Sequence, residues 1–251
     1  MENKIRSTLN SFFEGLVFEE DGHKYLYNNQ KIAFSVSDMI KRYCVPFNRK
    51  EKALSSAKRR GISVEEILKE WDAKTKEACK RGHKAHKFSE LYAFDRTLVP
   101  EDNYEKAALK FFNELPSHIK IISNETKMVH KKYLFCGTDD LLLYNEQNGN
   151  IIVGDFKTNA DLTKNYMGQR MLSHFKHLLD TPFNKYQIQL SFYQILLEQV
   201  EQMKVAKRKI IHLRASGEYF VYDTQDFTEY LIKDLENDYR RNNPENPISV
   251  L

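Results

Sequence analysis

Cysteine is scarce in this 251-residue chain: there are three, Cys44, Cys79 and Cys136, far apart and in no CxxC pair. A disulfide framework, a zinc ribbon and a four-cysteine iron-sulfur cluster are excluded, and a reducing compartment suits such thiols best. No apolar run approaches the roughly 18 residues that span a bilayer. The N-terminal stretch MENKIRSTLN carries charges where a secretory leader needs an apolar core. These absences predict a soluble, cytoplasmic protein with no membrane partner. No GxxxxGK[ST] motif occurs, so a P-loop motor is not expected in this chain. Repeats and low-complexity tracts are also missing. Neither sign of charge dominates, since 39 Lys and Arg face 35 Asp and Glu for a net +4. That balance permits a polyanionic partner without requiring one.

What the chain has in quantity is apolar and aromatic material: 41% hydrophobic residues, with 16 Phe and 14 Tyr, enough to build one substantial core. Residues 16 to 34 alternate around DG and NN turn signals and predict two or three short antiparallel strands. The stretch SVSDMIKRYC opens a helix with a Ser cap. From 48 to about 95 the composition predicts two helices broken at Gly61-Ile62-Ser63, the second one long. Another helix is expected in EDNYEKAALKFFNEL, ended by Pro116. Strands are expected over 118 to 130, 133 to 144 and 150 to 157, the last two joined by the hairpin signal Asn148-Gly149. An amphipathic helix in NKYQIQLSFYQILLEQVEQM, a hairpin in KRKIIHLRASGEYFVYD and a closing helix in TQDFTEYLIKDLENDYRR precede a Pro/Asn-rich tail. The order predicts an α/β or α+β protein with a central mixed sheet flanked by helices.

Chemistry concentrates in GTDDLLLYNEQNGNIIVGDFKT, residues 137 to 158. Strand alternation puts Asp155 and Lys157 on one face and Phe156 in the core. The hairpin brings Asp139 and Asp140 alongside, so one of the two must face Asp155. Paired carboxylates repel unless a cation or a shared proton intervenes, and a hard divalent ion such as Mg2+ (or Mn2+) removes that cost. Lys157 beside such an ion could orient or deprotonate an attacking water or stabilise a phosphorane. Taken alone, the same triplet is also an ordinary surface ion pair.

Four blocks in register decide between these readings: RGHKAH with Gly82 and His86, GTDD with Gly137 and Asp140, GDFK with Gly154, Asp155 and Lys157, and QLSFY with Gln189 and Tyr193. Together they resemble a PD-(D/E)XK nuclease of the RecB-type exonuclease branch, which includes the mitochondrial genome maintenance exonuclease and many phage nucleases. The resemblance covers residues 81 to 193. It implies a restriction-endonuclease-like core over 118 to 241. A hairpin and helical part over 1 to 117 would carry the His motif, and 242 to 251 would be a tail, all within one nuclease domain. It further implies catalytic roles for His86, Asp140, Asp155 and Lys157, with the metal held by His86, Asp140, Asp155 and the Phe156 carbonyl. Gln189 and Tyr193 would contact the substrate backbone, with Thr158 and Lys185 as further substrate contacts. Glu90 is assigned a supporting role. Glu125 could approach the metal, although an exposed strand carboxylate explains it equally well. The cysteine cluster that some relatives use for an iron-sulfur centre is missing here, which favours the clusterless phage and mitochondrial-like group.

The implied function is a metal-dependent DNA exonuclease acting on single strands or free ends, in replication, repair or recombination, with any helicase or recombination partner a separate chain. A structure-specific or restriction-like endonuclease, and a nucleic-acid-binding module with a degenerate site, are the alternatives. Lys and Arg are dense in KRYCVPFNRKEK, AKRRG, CKRGHKAHK and KVAKRK. The 27 residues between Lys157 and Lys185 are long for a strand-to-helix connection. They are expected to form a flap over single-stranded DNA, with Tyr166, His174 and Phe175 available to stack on bases.

Overall fold

A computed structural model describes residues 2 to 19 and 24 to 243. The elements run α1 (Glu2–Phe12), β1 (Leu16–Glu19), β2 (Lys24–Tyr27), β3 (Gln30–Lys31), β4 (Phe34–Ser35), α2 (Val36–Lys41), α3 (Arg49–Arg60), α4 (Val64–Tyr92) and α5 (Asn103–Asn113). There follow β5 (Ile119–Ser123), β6 (Thr126–Val129), β7 (Phe135–Asp139), β8 (Leu141–Asn145), β9 (Asn150–Lys157), α6 (Pro182–Leu197), β10 (Val205–Leu213), β11 (Tyr219–Asp223) and α7 (Thr228–Asn242). This is an α+β fold. Among the described residues no helix is long and apolar enough to cross a membrane.

The central sheet has the order β11-β10-β9-β8-β5. Only β9 and β10 pair in parallel, with α6 as their crossover, and the other pairs are antiparallel. Residues of β9 alternate between the two faces. Ile151 and Val153 join the core under α6 and α7, whereas Phe156 joins the core with Phe111 and Phe112 of α5 and Phe88 of α4. Asp155 and Lys157 therefore share the α6 side, as the period of two predicts.

The expected strands 118 to 130 and 133 to 144 are each interrupted. Residues 119 to 129 and 135 to 145 form one long antiparallel ribbon whose β5–β8 half lies in the central sheet. Its β6–β7 half belongs to a second sheet, β4-β7-β6. The ribbon bends at Asn124-Glu125 on one strand and at Asp140 on the other. Glu125 takes φ 53° there, so it stands in a bend and not on a strand. The bend delivers two carboxylates to one level of the fold.

The helical region follows its caps. Gly61 ends α3 at φ 67° in the left-handed conformation, and Ser63 with Glu66 forms a capping box that starts α4. Asn28 and Asn29 take φ 49° and 65° between β2 and β3, the backbone a two-residue hairpin turn needs. The expected DG turn lies outside the described residues. Helix α1 carried no expectation; Leu9 buries it, and the Arg6 Nε donates to the Ile122 carbonyl at 2.8 Å.

Helix α6 differs from the amphipathic expectation. It is buried on nearly all sides from Gln187 to Leu197. Its polar residues are satisfied internally: the Gln187 side chain accepts from the Gln225 N–H at 2.9 Å, and the Ser191 hydroxyl accepts from the Phe227 N–H at 3.1 Å. These bonds seat the connection between β11 and α7 on α6, so the polar stripe faces protein and not water.

Candidate metal and catalytic site

Helix α4 crosses the ribbon at its bend, where His86 meets Asp140 and Glu125. His86 Nδ1 lies 3.3 Å from Asp140 Oδ1 and 3.9 Å from Glu125 Oε1. One ligand atom each from His86, Glu125 and Asp140 fall within 4.8 Å of one another. Asp140 is further fixed because its Oδ2 accepts the Phe156 N–H at 2.7 Å. Continuing the β8–β9 register, in which Leu141 pairs with Gly154, sets Asp140 directly across from Asp155. Asp155 in turn forms an ion pair with the Lys157 ammonium. Neither Asp155 oxygen has a hydrogen-bond donor of good geometry among the described residues.

The charges in this cluster shape one another. Burial disfavours the His86 imidazolium, but the Asp140 and Glu125 carboxylates outweigh it and raise its pKa to about 10. Burial also works against ionised Asp140, yet His86 and Lys157 hold its carboxyl down at about 2. For Asp155 burial, reinforced by the charge on Asp140, wins over Lys157 and pushes the carboxyl up to about 7. Burial opposes the Lys157 ammonium, but Asp155 and Asp140 carry its pKa above the usual lysine range. In the metal-free fold Lys157 is therefore held as the cation, which suits orienting and stabilising roles.

Asp139 has no exposure, and neither of its oxygens finds a hydrogen bond among the described residues. Burial, helped by Asp140 and Glu125, pushes its carboxyl well above the usual range. Of the two adjacent aspartates, Asp140 is the one that faces His86.

A divalent ion fits this donor set. One imidazole nitrogen with two carboxylates accommodates Mn2+ as well as the harder Mg2+, and the unsatisfied oxygens of Asp155 stand beside it. The grouping departs from the expected ligand set in two respects. Glu125 lies within the trio, and Asp155 falls outside it, turned to Lys157. Glu90 lines the same cavity of about 430 Å³ as His86, Glu125 and Asp140 but pairs with Lys87 at 2.9 Å. Phe156 enters through its N–H to Asp140, while its ring packs in the core.

Two motif glycines have packing reasons. A Cβ on Gly137 would lie 2.8 Å from Val36 Cγ2 and 2.9 Å from Tyr193 Cε1, and one on Gly154 would lie 3.0 Å from Ile211 Cδ1. Gly137 lets α2 and α6 close on β7, which brings Tyr193 to the acidic cluster. Tyr193 is buried, its hydroxyl accepts from Gln189 Nε2 at 2.7 Å, and burial with the charges of Asp155 and Asp140 raises its pKa well above the ordinary value. Thr158 lines a second cavity of about 450 Å³, on the other side of His86, with Lys157, Arg81 and Tyr186. Lys185 does not line that cavity and pairs with Asp180 at 2.5 Å.

The segment after β9 differs from a free flap. Phe175 has no exposure and packs edge-on against Tyr43 and Phe227, so it cannot stack on a base. Its partners are core aromatics just after α2 and at the α7 entry, which outcompete solvent for an apolar ring. His174 is held by Asp234 at 3.1 Å. His174 and Tyr166 both remain at the surface, Tyr166 55% exposed with the Lys52 ammonium 5.5 Å from its ring centre. The basic run KVAKRK sits where β10 begins, beside Ile151, a strand length from Lys157.

Three neighbours of Lys157 had no expectation attached. Its ammonium lies 4.5 Å from the Tyr186 ring centre. The Tyr186 hydroxyl donates to Asn159 Oδ1 at 2.8 Å, and the Asn159 carbonyl accepts from His212 Nε2 at 2.6 Å. Tyr186 could have been found three residues before Gln189 on the same helix. His212 reaches Lys157 only through the β9–β10 register, which pairs the two.

No family model and no curated protein matches this chain. Among the solved structures that match, the crystal structure of SSO0001 is 16% identical, with coverage of 97% of this chain and 86% of that one and a TM-score of 0.36.

Proposed function

We propose that this protein is a metal-dependent deoxyribonuclease of the PD-(D/E)XK type, an exonuclease on single-stranded DNA or DNA ends in replication, repair or recombination. The observation that carries the reading is the meeting of His86 and Asp140 at 3.3 Å, with Glu125 in reach and Asp140 across the ladder from the Asp155–Lys157 pair. His86, Glu125 and Asp140 would hold Mg2+ or Mn2+, with Asp155 beside them. When bound, such an ion polarises a phosphodiester and acidifies a coordinated water. Lys157 keeps its charge and orients the nucleophile toward phosphorus, while its field favours the extra negative charge of the transition state. Asp140 is held in place by the Phe156 N–H, and Tyr193 with Gln189 closes the α6 side against water. The cation-rich cavity formed by Arg81, Lys157 and Tyr186 is the natural approach for a phosphate backbone.

The test uses end-labelled linear single strands, linear duplexes and closed circles, each with Mg2+, Mn2+ or EDTA, beside Asp155→Ala and Lys157→Ala. Metal-dependent loss of label from linear DNA, absent in both variants, is the expected result. Metal-independent cutting, or full activity in both variants, removes the reading, and efficient cutting of closed circles turns it into an endonuclease.

A further inference from the structure

A third cavity, about 550 Å³ in volume, opens beside β7 and shares only Gly137 and Tyr193 with the site described above. Three lysines line it from three separate elements: Lys24 of β2, Lys31 of β3 and Lys41 of α2. The one carboxylate in its wall, Asp38, is already committed. It accepts from Lys41 Nζ at 2.8 Å and from the Ser35 hydroxyl at 2.7 Å in the box that caps α2. Lys24 and Lys31 form no ion pair of their own among the described residues, although Glu19 stands across the β1–β2 ladder from Lys24, so the lining itself holds three lysines against one carboxylate. Ser37 and Thr138 add hydroxyls. Such a concavity is suited to one multiply bonded anion and poorly suited to an apolar or cationic ligand.

The cavity joins the acidic cluster through two bridges. The Tyr25 hydroxyl and Thr138 Oγ1 share a hydrogen bond of 2.9 Å, and the charge of Glu125 is felt at the same hydroxyl. On the other wall Tyr193 lines the cavity and lies within the fields of Asp155 and Asp140. From Gly137 to Asp140 the strand advances three residues, roughly 10 Å. Along a duplex strand the phosphates repeat at about 3.4 Å of axis, so the cavity is within about three phosphates of the acidic cluster. A cluster of carboxylates repels a polyanion, and cations on either side of it must hold the strand. Arg81 and Lys157 stand on one side; Lys24 and Lys31 stand on the other.

We infer that this cavity is a second phosphate subsite, in which Lys24, Lys31 and the Ser37 and Thr138 hydroxyls take a backbone phosphate of the strand near the scissile bond. The inference rests on the nuclease reading for the identity of its ligand but not for its measurement. Binding of a fluorescein-labelled single-stranded oligonucleotide is measured by anisotropy in EDTA over a series of salt concentrations. Wild type is compared with Lys24→Ala/Lys31→Ala and with Lys207→Ala, a lysine of β10 in the central sheet that does not line the cavity. Both residues of the double variant are exposed, and circular dichroism checks its fold. Each lost phosphate contact lowers the slope of log K against log salt by about 0.7 on single strands. The double variant empties one phosphate subsite and should therefore lose about 0.7 in slope, and Lys207→Ala none. A wild-type slope in the double variant, or no binding by wild type, overturns the subsite. Saturable binding of inorganic phosphate that needs Lys24 and Lys31, without oligonucleotide binding, overturns the strand assignment. If the slope falls as expected but no metal-dependent cutting is found, the subsite stands and the nuclease reading fails.

Discussion

His86 Nδ1 stands 3.3 Å from Asp140 Oδ1, across a helix-to-strand junction 54 residues apart in the chain. The contact makes α4 part of the candidate metal site and not merely its cover, and Glu125 completes the trio from the bend. Thermal shift with Mn2+ should therefore rank the acidic residues. Wild type should be stabilised, Asp140→Asn should lose the effect, and Glu125→Gln should lose most of it. Glu90→Gln should respond like wild type, because Glu90 is engaged by Lys87. Equal losses in Glu90→Gln and Glu125→Gln would refute this assignment.

Stability without metal should fall as pH rises. The Asp155 carboxyl titrates near 7 in the fold and near 3.9 in an unfolded chain. A raised folded pKa gives stability that is complete below the unfolded value and is lost as pH climbs through the folded one. The imidazolium of His86, raised to about 10, contributes in the same sense below about 6.5 and is lost toward 10. Unfolding free energies from urea melts in EDTA should accordingly drop between pH 5 and pH 8, by an amount on the order of a few kcal/mol. Asp155→Asn should flatten the part between 4 and 7. Mn2+ should compensate more at pH 8 than at pH 5, since it replaces the proton on the carboxylates. A midpoint that rises over this range contradicts the cluster's electrostatics.

Much of this arrangement was legible because local rules and global fold agree. Gly61 and Ser63 mark the break between α3 and α4, and the alternation of GDFK separates Asp155 and Lys157 from Phe156. The bend at Glu125 and Asp140 was not legible, since residues 119 to 129 read as one strand until a second sheet claims their latter half. Glu125 accordingly looked like an exposed strand carboxylate. Phe175 looked free because its flanks are polar, and its partners Tyr43 and Phe227 are distant in sequence. The surrounding of α6 on both faces likewise depends on which elements pack there, a fact that hydrophobic periodicity does not carry.

The motif glycines should separate by cause. Gly137→Ala places a methyl group 2.8 Å from Val36 and 2.9 Å from Tyr193, an overpacking that costs about 1 to 3 kcal/mol. Gly82 on α4 has only Thr158 Oγ1, at 3.8 Å, near the same added atom. Gly82→Ala should therefore be tolerated, and by helix propensity it should stabilise by up to about 1 kcal/mol. If its cleavage rate nevertheless falls while its urea midpoint rises, the glycine serves the cavity beside His86, where the proposed substrate backbone would approach. Destabilisation of Gly82→Ala would mean instead that α4 packs more closely than the distance implies.

The relay behind Lys157 makes a graded prediction. Tyr186 presents its ring to the ammonium at 4.5 Å and is itself fixed through Asn159 by His212. Tyr186→Phe keeps the ring and removes one hydrogen bond, worth about 0.5 to 1.5 kcal/mol, so cleavage should persist with slightly lower stability. Tyr186→Ala removes the surface that restrains a flexible lysine, and the turnover rate should drop by at least about 10-fold with KM nearly unchanged, because Lys157 would act in the transition state and not in binding. His212→Gln preserves a donor toward the Asn159 carbonyl and should resemble Tyr186→Phe, whereas His212→Leu leaves that carbonyl unpaired and should resemble Tyr186→Ala. Steady-state kinetics on a linear single strand, with urea midpoints for each variant, separates this from general destabilisation. A Tyr186→Ala enzyme with wild-type turnover would show that Lys157 is held by Asp155 alone.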